Sequence, residues 1–275
     1  MTRLKRQQFL GPESDGILAG ATIGLVGLGG GGSHVAQQLA HLGVGGFVLI
    51  DLDTIDFGNT NRLVGGTLAD VKADKPKTEI AARQILGINP AARIIKFKGS
   101  WHDATPALKA CDVIIGGIDS FTEREQLERF ARRHLVPYID IGMDVHDIGE
   151  HGFLIAGQVV LSSPGHPCLR CCGVVTDDNL ALEAARYGAA GERPQVVWPN
   201  AILASSAVGL AVSLLTPWHR KHAAFAFLAY DGNKGTVSAS ARMSMLGGTK
   251  CPHHPPDETG EPLFDIRKHL AAEGH

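Results

Sequence analysis

Gly27, Gly29, Gly30 and Gly32 fall in the run Gly24-Leu25-Val26-Gly27-Leu28-Gly29-Gly30-Gly31-Gly32-Ser33, and Asp51 closes the next apolar run, Gly46-Phe47-Val48-Leu49-Ile50. Glycines at 27, 29 and 32 suit a tight turn, a close approach of backbone to phosphate, and the packing of a helix N-terminus against a strand. Amides and helix dipole would then face an anion, which makes this a nucleotide-binding βαβ unit. By itself the pattern fits NAD, NADP or FAD. The chain beyond Ile50 departs from those cofactors: it reads Asp51-Leu52-Asp53-x-x-Asp56-x-Gly58-Asn59-Thr60-Asn61-Arg62, then Asp74-Lys75-Pro76-Lys77, then Gly116-Gly117-Ile118-Asp119-Ser120. Asp53 and Asp56 read as turn formers. Asp119 is placed to cap a helix over 121–134, as are Ser120 and Thr122.

A second group is made of soft ligands. Pro167-Cys168-Leu169-Arg170-Cys171 is a tight C-x-x-C, and Cys251-Pro252-His253-His254 supplies a C-x-x-H. Two chelating pairs suit tetrahedral Zn²⁺, with Cys168, Cys171, Cys251 and His254 as ligands and His253 as the alternative to His254. All four positions would be filled by protein, so such a zinc would be structural.

The elements that must carry these residues follow from periodicity. Val35, Ala36, Leu39 and Ala40 have helical spacing, as do Ile80, Ala81, Ile85 and Leu86. Short β-rich runs at 93–97, 112–116 and 137–141 alternate with a charged helix at 123–134, the signature of a parallel sheet. Runs at 153–155, 158–161, 224–230 and 236–239 read as antiparallel continuation, with a buried apolar helix at 201–215 between them. The expected fold is α/β: a Rossmann-like, doubly wound, mainly parallel sheet continued by antiparallel strands, with a structural zinc site. One domain is expected over residues 1–255, with an N-terminal arm at 1–20 and a zinc and crossover loop at 163–200. A C-terminal tail at 256–275, rich in Pro, Glu, Gly and His, is expected to be loosely ordered. With 44% hydrophobic and 20% charged residues, 275 residues can bury a sizeable core, and a net charge of −2 gives no global field for nucleic acid or an anionic membrane. No secretory pattern follows Arg3, Lys5 and Arg6, and the odd count of five cysteines suits a reducing compartment, so a cytoplasmic protein is expected.

The succession of motifs resembles the ThiF/MoeB (HesA) family, bacterial relatives of ubiquitin-activating enzymes. There, a G-x-G-G-x-G turn, a D-x-D, an N-x-x-R, a P-K and a strand-end D occur in this order, and the resemblance covers residues 3 to 254. It implies ATP-dependent adenylylation of the C-terminal carboxylate of a ubiquitin-like or sulfur-carrier β-grasp protein ending in Gly-Gly, releasing pyrophosphate. It further implies that Asp51 holds the ribose, that Asn59, Arg62 and Lys77 contact the phosphates, and that Asp119 positions Mg²⁺. The chemistry agrees, since attack on an α-phosphorus builds charge that fixed cations and Mg²⁺ must meet. Arg3-Leu4-Lys5-Arg6-Gln7 resembles the family's R-Y-x-R-Q, with Leu4 in place of Tyr; Arg6 would then reach into the ATP site of a second copy in a homodimer. Zinc-bearing members carry C-x-x-C at both places, so the histidine is a departure.

Family members often carry a nucleophilic cysteine in the crossover loop, but Gly173 to Asn200 contains none, only polar residues such as Asp177, Glu183, Arg186, Tyr187, Glu192 and Arg193. Cys172 adjoins a zinc ligand and, activated by nearby Zn²⁺ and Arg170, is the one alternative for a thioester, while Cys111 begins a buried strand. The expectation is an enzyme that stops at the acyl-adenylate and passes the acyl group to a conjugating enzyme or sulfurtransferase. Adenylation of a small or tRNA-linked carboxylate is the alternative within the fold, and an NAD-dependent oxidoreductase the alternative outside it.

Overall fold

The computed structural model describes residues 3–185, 194–219, 224–246 and 248–274. Eight strands form one sheet in the order β3-β2-β1-β4-β5-β6-β7-β8. They are β1 (Thr22–Val26), β2 (Gly46–Asp51), β3 (Arg93–Lys98), β4 (Val113–Gly116), β5 (Tyr138–Asp147), β6 (Phe153–Ser162), β7 (Ala226–Asp231) and β8 (Thr236–Ala239). The first five run parallel, and β6, β7 and β8 add antiparallel to them. The strand order reverses between β1 and β4, which opens a crevice at their carboxyl ends where open α/β sheets bind ligands.

The helices are α1 (Ser14–Gly20), α2 (Gly30–Leu42), α3 (Leu68–Lys72), α4 (Lys77–Ile88), α5 (Thr105–Leu108), α6 (Phe121–Arg133), α7 (Asp177–Ala185), α8 (Val197–Leu215), α9 (Arg242–Leu246) and α10 (Ile266–Glu273). Alternation along the strands sends side chains to two cores. Ile23, Leu25, Phe47 and Leu49 pack with α2, α4 and α8, whereas Val26, Val48, Ile50 and Ile114 pack on the opposite face with α6 and the cysteine loop.

Three segments differ from expectation. The runs at 153–155 and 158–161 are one strand, because Ala156 and Gly157 pair with Asp144 and Met143 and carry the ladder through the small residues. Helix α8 begins at Val197 and buries one face, including Leu203, Ala207 and Ala211, while Trp198 and Ser205 are exposed. Among the described residues it is the one helix long and apolar enough to cross a membrane, yet that apolar face is part of the core. The segment from 256 onward is docked: Phe264 and Ile266 are buried, and Arg133 pairs with Glu258 at 2.9 Å and Glu261 at 2.8 Å while its guanidinium lies 4.8 Å from the Phe264 ring centroid. Its polar composition conceals two apolar anchors and acids matched to a basic helix face.

The N-terminal arm is also placed. A 3₁₀ turn, Lys5–Leu10, caps the C-terminal end of α2, with Arg3 Nη1 donating to the carbonyls of Ala40 (3.3 Å) and His41 (3.1 Å) and Gln7 Nε2 to that of Leu42 (2.9 Å). Removing the buried ring in Phe264→Ala should cost about 3 kcal/mol, as for other large-to-small core changes, and should expose 256–274 to limited proteolysis. A urea titration and a timed digest would check both; an unchanged digest would mean that Phe264 does not anchor the segment.

Candidate active site

The glycine run forms the turn from β1 into α2. Gly27 adopts φ +86°, and a Cβ there would strike the Gly117 carbonyl oxygen that ends β4; a Cβ on Gly32 would overlap the Gly27 carbonyl oxygen. These two glycines are demanded by the protein's own packing. Gly29 faces open space, with nothing within 4 Å of a Cβ placed on it, so the chain leaves backbone bare where an anion can approach. A Cβ on Gly30 would sit 2.6 Å from Asn200 Nδ2 at the start of α8.

Asp51 lies beneath this turn. Its Oδ2 accepts from the Leu28 amide at 2.6 Å and its Oδ1 from the Asp53 amide at 2.9 Å. Burial raises its carboxyl above the usual range, opposed by Lys77, 3.9 Å away, and by the two amides. Lys77 begins α4, is almost fully buried, and donates from Nζ to Asp53 Oδ2 at 2.7 Å. Asp53 is therefore more than a turn former, since it aims the lysine. Asp56 caps the 3₁₀ turn Phe57–Asn61 in a capping box with Asn59. Arg62 donates to the Gly58 carbonyl at 2.8 Å and to Asn61 Oδ1 at 2.9 Å. Asn61 reaches the Gln195 carbonyl at 3.2 Å, and Gln195 Nε2 donates to Asp119 Oδ1 at 3.3 Å.

Gly29, Gly30, Asn59, Arg62, Lys77 and Asp119 thus line one cleft of about 1140 Å³, ample for a nucleotide. Ser120 caps α6, accepting from the Glu123 amide at 3.2 Å, so that role does not fall to Asp119. Arg6 is not brought to the cleft of its own chain. It is exposed at the C-terminal end of α2, and a helix of 13 residues sets that end about 20 Å from the glycine turn.

The cleft also holds residues that periodicity did not single out. Arg124, on the first turn of α6, lines it beside Gly142, and Asn200 faces the glycine turn. Glu183 on α7 accepts from the amides of Phe121 (3.2 Å) and Thr122 (3.0 Å); burial pushes its carboxyl up, but these donors at the helix N-terminus outweigh it and the net shift is downward. A charged residue interrupting an apolar strand, Asp140 within Tyr138–Ile141, was the available signal for the Arg124 site. Of the crossover-loop residues, Arg186, Tyr187, Glu192 and Arg193 lie outside the described residues.

The cysteine loop meets the 251–254 segment in a cluster able to hold a metal ion: Cys168, Cys171, Cys251 and His253. Sulfur–sulfur separations are 3.7 Å for Cys168–Cys171 and for Cys171–Cys251, and His253 Nδ1 stands 3.4 Å from Cys168 Sγ and 3.5 Å from Cys171 Sγ. Zinc bonds of about 2.3 Å to sulfur and about 2.05 Å to nitrogen give tetrahedral edges of about 3.8 and 3.5 Å, so the donor set fits. A second group, Glu128, Cys168 and His254, adjoins it through the shared Cys168. His254, expected as the fourth ligand, turns inward so that its Nε2 stands 3.8 Å from Glu128 Oε2, because that buried carboxylate draws a donor, while His253 stays at the surface over the thiols. Hydrogen bonding from Cys168 draws the Cys251 thiol down to about 4. Cys172, by contrast, is buried and its thiol is pushed up to about 12 by burial and by Glu128; Arg170 is engaged with Glu125 and Asp177. Cys172 is also one of the residues that line the cleft.

The ThiF family model matches residues 3–252. The chain is 31% identical over 196 residues to the molybdopterin-synthase adenylyltransferase of Escherichia coli K12, covering 68% of this chain and 74% of that protein. It is 29% identical over 166 residues to the SAMP-activating enzyme E1 of Haloferax volcanii, covering 59% and 57%. With the E. coli tRNA threonylcarbamoyladenosine dehydratase the match is 32% over 138 residues, 49% and 51%, so the chain spans about half the length of several curated relatives. Among solved structures, E. coli MccB with ATP superposes with a TM-score of 0.70 at 21% identity, covering 87% of this chain and 71% of that one, which establishes likeness of fold.

The cluster geometry predicts about one zinc per purified chain by atomic emission, lost in His253→Ala and retained in His254→Ala. Retention by the first and loss by the second would reverse the ligand assignment.

Proposed function

The chain belongs to the ThiF family, and from that premise we propose that it is an ATP-dependent adenylyltransferase acting on the C-terminal carboxylate of a ubiquitin-like or sulfur-carrier β-grasp protein with a Gly-Gly tail. The observation that carries this reading is convergence. Residues as far apart in sequence as Gly29, Asn59, Arg62, Lys77 and Asp119 line one cleft at the switch point of the sheet.

In the reaction an oxygen of the substrate carboxylate attacks the α-phosphorus of ATP. One O–P bond forms, the bond from that phosphorus to the bridging oxygen breaks, and pyrophosphate leaves with its electron pair; no proton needs to move. The bare backbone at Gly29 and the N-terminus of α2 accommodate phosphate. Lys77 and Arg62 offer N–H groups to the oxygens on which charge accumulates, and their present partners, Asp53 for the lysine and the Gly58 carbonyl and Asn61 side chain for the arginine, hold them at the cleft wall. Asp51, fixed by two amides, takes the ribose. Asp119 would hold Mg²⁺, which when bound neutralises charge on the triphosphate. An oxidoreductase using NAD has no use for this set of cations.

The acyl group would pass to an outside nucleophile, on a conjugating enzyme or a sulfurtransferase, since the crossover loop from Gly173 to Asn200 contains no cysteine. Arg6 would act in a homodimer. Next to its turn lies an apolar groove formed by Leu10, Leu42, Val208 and Val212, with Phe9 72% exposed and Trp218 44% exposed at its rim. A two-fold axis across the α2–α8 face would carry Arg6 of one copy from the C-terminal end of α2 toward the glycine turn of the other. Zinc at the cysteine cluster is read as a staple between the 168–171 loop and the 251–254 segment. Five free thiols suit the reducing cytoplasm. A net charge of −2 and the absence of a basic field argue for a protein substrate over tRNA, with no nucleic-acid or membrane partner.

Calorimetric titration should show MgATP binding that weakens about tenfold or more in both Arg62→Ala and Lys77→Ala, the loss of one charge-assisted contact each. NAD binding indifferent to both changes would return the chain to the oxidoreductases. Mixed Arg6→Ala and Asp119→Ala chains, each inactive alone in carrier-driven pyrophosphate exchange, should recover about a quarter of the wild-type rate, because half the dimers would be mixed and each would hold one complete site. No recovery on mixing would remove Arg6 from the partner's site.

A further inference from the structure

Arg124 is 4% exposed although it carries a full charge. Its Nε donates to Asp140 Oδ1 at 2.9 Å and its Nη2 to Asp140 Oδ2, and Tyr138 Oη donates to Asp140 Oδ1 at 3.0 Å. Asp140 is wholly buried. This two-point clamp uses one edge of the guanidinium. The remaining Nη1 group has no hydrogen-bond partner among the described residues, and it is not sealed off, because it is absent from the buried polar atoms that lack partners. It is therefore open to the cleft that Arg124 lines.

Its place in that cleft is distinctive. The nucleotide half, with Gly29, Arg62 and Lys77, lies to one side across Asp119. To the other side the cleft runs over β5, β6 and β7, where Gly142, Gln158 and Ala229 are neighbours across the sheet and Ala156 lies two residues from Gln158. A Cβ on Gly142 would come 2.8 Å from Arg124 Nη2 and would overlap Gln158 Nε2. Short side chains at Gly142, Ala156 and Ala229, with Gln158 among them, leave room over the strands for an extended peptide, and Arg124 is a fixed cation in the same cleft.

Resting on the adenylyltransferase reading, we propose that Arg124 is a catalytic residue that binds the carboxylate of the incoming tail. Its Nη1 donates to the oxygen that does not attack, which becomes the carbonyl oxygen of the mixed anhydride. A carboxylate approaching a triphosphate is repelled, and the cations that meet the phosphates are already engaged; a separate cation is required. Clamped by Asp140, the guanidinium loses little rotamer freedom when it binds and presents its N–H pair in a fixed direction, which a lysine cannot reproduce.

The test uses three probes on the full chain: MgATP, 5′-O-sulfamoyladenosine, and the stable adenylate mimic 5′-O-[N-(acetylglycylglycyl)sulfamoyl]adenosine. The wild type should prefer the acylated mimic to sulfamoyladenosine by about tenfold or more, the worth of a charge-assisted contact plus the Gly-Gly contacts. Arg124→Lys should erase most of that preference and leave MgATP affinity within about twofold. Gly142→Ala, which keeps every charge and crowds the guanidinium and the Gln158 amide, should do the same, and its intact MgATP binding would certify the fold. A preference that survives in both variants would overturn the assignment of Arg124 alone. Equal loss for all three probes would overturn it too, by making Arg124 a support of the nucleotide pocket. Failure of the wild type to bind MgATP would instead bring down the adenylyltransferase reading, and this assignment with it.

Discussion

Three charged side chains one turn apart on α6, Arg124, Glu128 and Arg132, point into the protein and are almost completely buried. Isolated buried charges are costly, so each must find a partner, and the search for partners organises the rest of the molecule. Arg124 takes Asp140 from β5. Arg132 donates to Ser162 Oγ at 3.0 Å on β6 and to the carbonyls of His166 (2.9 Å) and Pro167 (3.0 Å). Glu128 accepts from the Leu169 amide at 3.1 Å and from Ser162, and lies 3.6 Å from Arg132. Burial pushes the Glu128 carboxyl up, yet His254, Arg132 and Ser162 outweigh that and the net shift is downward. One helix thereby fixes strands that line the cleft, the loop that carries Cys168, and the position of His254.

The glycine turn works by the opposite means, by having nothing there. Gly27 and Gly32 bring β1, α2 and the turn after β4 so close that neither can carry a Cβ, and this contact lies at the switch point of the sheet. Gly29 then presents backbone to the space created. Asp51, Asp53 and Lys77 form a short chain under the turn, held by backbone amides as much as by charge, so the lysine reaches the cleft already oriented. Preorganisation of this kind matters most where charge develops during reaction, because nothing has to be rearranged at that moment.

These two devices meet at Asp119 and Arg124, five residues apart across the start of α6. The first comes directly after the Gly116-Gly117 turn that packs on Gly27; the second begins the buried charged stripe. The glycine-turn end of the cleft and the end over β5 and β6 are joined through this helical entry, and Glu183 from α7 caps the Phe121 and Thr122 amides there.

By itself the sequence determined whatever depends on chemistry within a short window. Backbone freedom at Gly27 and Gly32, the parallel half of the sheet, the chelating spacing of Cys168 and Cys171, and the lack of a cysteine between 173 and 200 are all legible there, since each is local or periodic. Tertiary structure decided what depends on a distant partner. A helix reading Phe-Thr-Glu-Arg-Glu-Gln-Leu-Glu-Arg-Phe-Ala-Arg-Arg has the composition of a solvated one, and only Asp140, Ser162 and the 166–169 backbone make burial of its charges affordable. The spacing favoured His254, but the fold sets that ring beside Glu128, 126 positions earlier in the chain, and sets His253 over the thiols. The docking of 256–274 and the position of Arg6 at the far end of α2 obey the same rule. A residue's type is written in the sequence, but the sign and distance of the charge it will face are fixed only when the chain closes.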